Sequence, residues 1–159
     1  MIYNILNGDS LAHGFPDTEI EGDIIVVREG LIEGDLSGND LLDFWNRRAR
    51  HIGLTEVEYH EKVVVEFEKI LNAPDDSEFN LWFEYDLFCQ VNMWFVISII
   101  NRLSVKTSVY AVYTTFLDRN SKHFWNGFGP AGPSQLQVCF GDRILLSKAD
   151  LQLGQELWT

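Results

Sequence analysis

Four short apolar segments rich in β-branched residues recur along the chain, at 2–6, 24–27, 79–85 and 109–115, with long helical patterns between most of them. That alternation constrains the fold more than any other feature. Strands separated by helices build parallel sheets through crossover connections. The unbroken apolarity of "IIVV" and "VYAVY" is what strands covered on both faces require. The expectation is an α/β three-layer sandwich with a mainly parallel, Rossmann/flavodoxin-like sheet in the order 2-1-3-4.

A chain of 159 residues, 46% of them hydrophobic, suits one such domain with a full core. The reading is a single α/β domain over 1–159, the N-terminal part of a longer protein, with 118–159 as peripheral loop and helices. The apolar run 87–100 is broken by Gln90, Asn92 and Ser98 and is shorter than the roughly 20 residues a spanning helix needs, so it reads as a core helix and no membrane is implied. Nothing at the start resembles a secretion signal, and a cytoplasmic location is expected. Cys89 and Cys139 lack metal or redox spacing and are expected as buried thiols. The net charge of −12 lies in the first half, where residues 1–80 hold 18 acids and 6 bases. Such a surface repels phosphate backbones, so no nucleic-acid partner is expected.

Between the second and third strands, a helix over 40–52 places Leu41, Leu42, Trp45, Ala49 and Ile52 on one stripe and ends at Gly53. Arg47, Arg48 and Arg50 stand near its end, where compensation of the helix dipole explains them and an anion site is the alternative. Thr55 and Glu58 form a capping box for the next helix, with Val57, Val64, Phe67 and Leu71 as its apolar stripe. Asn72 and Pro74 stop it. Later, 118–134 reads as a structured loop with an exposed Phe124-Trp125 pair, 135–140 as a short helix or strand, and Ser147 with Asp150 as the cap of a last helix.

The chemistry-bearing residues gather at strand ends. "NGDS", Asn7 to Ser10, follows the first strand; Arg28-Glu29 follows the second; Glu84-Tyr85-Asp86 follows the third. In a parallel sheet these ends share the edge where open α/β folds bind ligands, so Asn7, Gly8, Asp9, Ser10, Arg28, Glu29, Glu84 and Asp86 should converge there. Asp9 or Ser10 would also cap the first helix, and Asp86 the core helix. Hard oxygen ligands from Asp9, Glu84 and Asp86 would suit a divalent cation; alternatively Arg28 balances the charge and the edge binds a small molecule. The Gly127 to Gly132 stretch is a literal G-x-G-x-x-G, but it comes late and contains Pro130, so no dinucleotide site is expected. The four histidines are scattered, and no G-x-S-x-G supports a hydrolase triad.

The motifs "ILNGDSLA", "GDIIVVRE" with "LIEGDLSG", "FWNRRARHI" and "LWFEYDLFCQ" together resemble the bacterial family catalogued as domain of unknown function 1835. The similarity runs strongly over 1–103 and more loosely through "ILLSKADLQLGQELW". It implies an α/β domain and no particular activity. Its pattern falls on Asn7, Gly8, Asp9, Ser10, Arg28, Glu29, Glu84, Asp86 and Gln90, and members resembling this chain continue into further helical sequence. The leading expectation is a small-ligand-binding or regulatory domain that works with a small molecule, a further C-terminal segment or a partner. A metal-dependent hydrolase or phosphoryl-transfer enzyme at the same edge is the alternative, and a pure scaffold the third.

Overall fold

The computed structural model describes residues 1–114 and 127–159, and the expected Phe124-Trp125 pair lies outside them. Strands β1 (Ile2–Asn7), β2 (Asp23–Val27), β3 (Ser77–Trp82) and β4 (Thr107–Val112) pair in parallel, and β5 (Ile144–Leu145) joins β4 antiparallel. The sheet order is β2-β1-β3-β4-β5. The expected order therefore holds over its four strands, and the two-residue β5 adds an edge the sequence did not announce. With only two residues, it carries no alternation to read.

Helices cover both faces. Helix α1 (Asp9–Gly14), a 3₁₀ turn over Phe15–Thr18 and α6 (Pro133–Gly141) pack on one face, around Leu6, Trp82 and Val112. On the other lie α2 (Leu41–Ile52), α3 (Glu56–Tyr59), α4 (Val65–Leu71), α5 (Leu87–Ile100) and α7 (Lys148–Trp158), around Tyr3, Ile5, Phe79 and Leu81. Alternate residues of each strand point to opposite faces, so β1 supplies both cores at once. The second core is the larger, and Phe95 ties α2, α4 and α7 into it through rings on Phe44, Phe67 and Trp158.

Caps read from the sequence are made. Gly53 closes α2 through its N–H to Ala49 O, while at the other end Asp40, not singled out as a cap in the sequence, accepts from the Asp43 N–H. Thr55 with Glu58 and Ser147 with Asp150 form capping boxes, and Asp86 accepts from the Cys89 N–H at the start of α5. The segment read as helix or strand is the helix α6. The β2 edge is blunted from α4: Val26 N donates to Glu66 Oε2 at 2.8 Å and Lys69 Nζ to Ile24 O at 3.3 Å.

Three readings are corrected. Leu42 and Ile52 do not join the α2 core stripe: Leu42 is 66% exposed, and Phe44, Trp45, Arg48 and Ala49 are the buried face. Arginine at 48 masked the helix's true inward side. Val57 also falls outside its expected stripe, at 67% exposed. A π turn over His60–Val64 connects α3 to α4, and its extra residue rotates the helix face by about 100°, taking Val57 out of line with Val64 and Phe67. Finally, neither Asp9 nor Ser10 caps α1. Gly8 (φ 96°) is the N-cap and no side chain bonds there, because Asp9 already stands within the helix.

Candidate functional site

The strand ends separate into two neighbouring environments. At the β2 end, Glu29 turns inward. Arg48 Nε and Nη2 grip its two oxygens at 3.0 and 2.7 Å, Tyr59 Oη donates to Oε1 at 2.6 Å, and the Gly30 N–H donates to Oε2 at 2.9 Å. Arg48 and Glu29 side chains are both buried. Bidentate, charge-assisted bonding of this kind satisfies both oxygens, and burial with the adjacent carboxylate pushes the Tyr59 phenol upward, so it stays a donor. Glu29 is therefore unavailable to a ligand at the edge.

Outside that lock, Arg28 donates from Nε to Asp9 at 2.9 and 3.1 Å and from Nη1 to Lys62 O, a carbonyl in the π turn, at 2.9 Å. Asp9 is 69% exposed, so the pair is a surface one. Asn7, Gly8, Asp9, Arg28 and Glu29 do meet, around a shallow depression also bordered by Ile52 and Phe88.

Asn92 knits the two ends together. It is fully buried in α5, donates to Asn7 Oδ1 at 2.9 Å and Glu29 O at 2.7 Å, and accepts from Leu31 N at 3.1 Å. Asn7 in turn donates to Cys89 Sγ at 3.0 Å. A buried asparagine in an apolar helix needs such partners. Its interruption of the run 87–100 was the signal for it.

At the β3 end the environment is different. Glu84 is half-buried, and among the described residues no basic side chain pairs with it. Phe128 N donates to its Oε1 at 3.3 Å. Gln90 Nε2 holds the Glu84 carbonyl at 2.7 Å and fixes the turn into α5. Burial raises the Glu84 carboxyl above its ordinary pKa; the Phe128 N–H opposes the rise and the charge of Asp86 adds to it. Gly127 (φ 59°) packs directly on this carboxylate, so an added Cβ would occupy the same space.

Between α1, the end of β3 and the glycine stretch 127–132 opens a crevice of about 270 Å³, lined by Asn7, Ser10, Leu11, Asp17, Trp82, Glu84, Phe128 and the start of α6. It sits between β1 and β3, where the strand order reverses direction and doubly wound sheets place ligands. The sequence pointed to Asn7, Ser10 and Glu84. It missed Asp17, Trp82 and Phe128, which come from the 3₁₀ turn, the last position of β3 and the stretch before α6. The glycine stretch is a wall of the crevice and leads into α6 at Pro133.

The metal set is redrawn as well. Among the described residues, the carboxylates of Glu84 and Asp86 and the Cys89 thiol place ligand atoms within 4.8 Å of one another, and Asp9 is not of this group. Asp86 is engaged as the α5 cap. Burial and the neighbouring Asp86 push the Cys89 thiol up to about 12, which keeps it protonated and a poor ligand at neutral pH. Arg47 turns to Asp43 and Asp35 while Arg48 is buried on Glu29, so these arginines do not converge on an anion. A larger open depression, about 410 Å³, lies away from the strand ends between α2 and the α3–α4 helix, flanked by the exposed Leu42 and Val57.

Fold and edge together describe a doubly wound α/β domain with a crevice at its switch point. Comparison with protein-family models, with curated proteins and with solved structures finds no match. Among the described residues no helix is long and apolar enough to cross a membrane.

Proposed function

We propose that the chain is a small-ligand-binding or regulatory α/β module whose site is the crevice between the ends of β1 and β3. The observation that carries this reading is Glu84: a carboxylate desolvated at the crevice wall, opposed by Asp86 and, among the described residues, held by one backbone N–H. A protein gains no stability from such a group, and perturbed carboxylates in clefts mark functional sites. The resemblance to domain of unknown function 1835 supports the same edge through its motifs, and a cytoplasmic location without a nucleic-acid partner belongs to the same reading.

The test is a thermal-shift titration of a chemically diverse set of small compounds against wild type and Leu11→Trp, which fills the crevice. Compounds that stabilise wild type and leave Leu11→Trp unmoved support the module. A set that shifts neither, or both alike, refutes it.

The grouping of Glu84, Asp86 and Cys89 favours a second reading, a metal-dependent hydrolase or phosphoryl-transfer enzyme. A cation bound only by the native state raises stability by RT ln(1 + [M]/Kd), about 2.7 kcal/mol at a hundredfold excess over Kd. Melting curves with magnesium, manganese and zinc then rank the readings: a shift lost in Glu84→Gln puts the metal enzyme first, and unshifted curves remove it.

A further inference from the structure

We propose that the open depression between α2 and the α3–α4 helix docks a basic amphipathic helix of a partner protein. The surface is independent of the crevice. Leu42 and Val57, which the sequence assigns to core stripes, are both two-thirds exposed and line one groove of about 410 Å³ from its two sides. Trp45 and Val64, both buried, continue the apolar lining. The π turn over His60–Val64 is the local cause, because its extra residue carries Val57 out of line with Val64 and Phe67, and such turns recur at functional sites. The buried indole N–H of Trp45 has no acceptor among the described residues, an orphaned donor of the kind that folded chains rarely keep.

Charge selects the occupant. Glu56, Glu61 and Glu68 border the groove, and neither Lys nor Arg lines it among the described residues. Glu56 and Glu61 are exposed, and Glu68 lies 3.4 Å from the His60 imidazole. Two arginines of α2 are engaged elsewhere, Arg47 with Asp43 and Asp35 and Arg48 with Glu29. A second copy of this chain, whose net charge is −12, would bring the same glutamates to a self-complementary contact, and an anionic lipid surface would be repelled as well. A cationic segment is attracted instead. From Glu56 to Glu68 the helix runs roughly 18 Å, about three turns of a partner helix, whose apolar residues at i, i+3, i+4 and i+7 would seat between α2 and α4.

The experiment is an anisotropy titration of the full chain with a labelled leucine–lysine peptide of about 18 residues patterned at helical spacing, long enough to hold a helix. Two controls accompany it: the same peptide with glutamate for every lysine, and the same composition in scrambled order. The patterned cationic peptide is expected to bind, and each control to bind weaker by about tenfold or more. Leu42→Ser and Val57→Ser, at exposed positions that the fold does not depend on, should each cost about tenfold, the worth of burying one such side chain. Glu56→Gln with Glu61→Gln should cost about threefold and flatten the salt dependence, whereas Glu19→Gln with Glu21→Gln, the same change of charge outside the groove, should not. Binding that ignores Val57→Ser or the helical order reads only overall charge and overturns the groove. Equal binding of the glutamate peptide, or no binding at all, overturns the basic partner. A chain that dimerises in sedimentation and returns to monomer in Val57→Ser carries a second copy on this face, which also overturns the proposal.

Discussion

Strands β2 and β3 each end in a glutamate two residues past the last strand position, Glu29 after Val27 and Glu84 after Trp82, on the same edge of one sheet. Glu29 is gripped by Arg48, Tyr59 and the Gly30 N–H within the larger core. Among the described residues Glu84 meets one backbone N–H, a like charge and a cavity. Equal position in the sequence pattern thus yields opposite roles. A carboxylate with every oxygen satisfied holds the α2 connection to the sheet, and the one short of partners among the described residues is where the proposed ligand would have something to supply.

The most damaging way to break that comparison is at the lock. Arg48→Met leaves the Glu29 carboxylate buried without its cation and is expected to lower unfolding stability by about 3–5 kcal/mol, read by urea denaturation. Replacing both partners together, Arg48→Met with Glu29→Leu, should recover part of that loss. A single-variant loss no larger than a surface pair's would end the claim that the β2 end is structural.

Gly127→Ala comes next. It places a side chain at a left-handed backbone position and against the Glu84 carboxylate, so a loss of about 1–2 kcal/mol is expected. The same variant should weaken ligands of the crevice, whereas it should leave the Glu29 lock untouched.

Glu84→Gln sharpens the contrast by sign. A carboxyl whose folded pKa is raised favours the folded state while protonated, and that contribution is lost as pH rises through the folded value. Above the ordinary glutamate range the raised carboxyl costs the folded state stability, so the neutral variant is expected to melt higher than wild type at pH 7. Partial exposure limits the gain to under about 1 kcal/mol. The gain should vanish as pH falls below the ordinary glutamate range, and a variant that melts lower at neutral pH would make Glu84 another structural carboxylate.

The smallest effect belongs to Asp9→Ala. It removes a surface ion pair with Arg28 and no helix cap, so about 0.5 kcal/mol or less is expected, shrinking as salt is added. A salt-independent loss of roughly 1 kcal/mol would restore Asp9 as a cap.

Much of the architecture was legible in the chain itself. Strand periodicity, the Thr55, Asp86 and Ser147 caps and the stop at Gly53 are local: each depends on residues within one helical turn or on alternation within one strand, so neighbours in sequence suffice to specify them. The convergence of Asn7, Arg28, Glu29 and Glu84 on one edge also followed, because parallel pairing brings all strand ends together. What those residues do at the edge was decided elsewhere. Arg48 reaches Glu29 across 19 residues, Asn92 reaches Asn7 across 85, and Phe128 reaches Glu84 across 44. The π turn changed which face of its helix was inward, exposing Val57 where a regular helix would bury it. Local pattern sets which elements form and where their ends lie. The charge state and availability of a carboxylate depend on what distant segments bring within hydrogen-bonding range, and packing alone distinguishes Glu29 from Glu84.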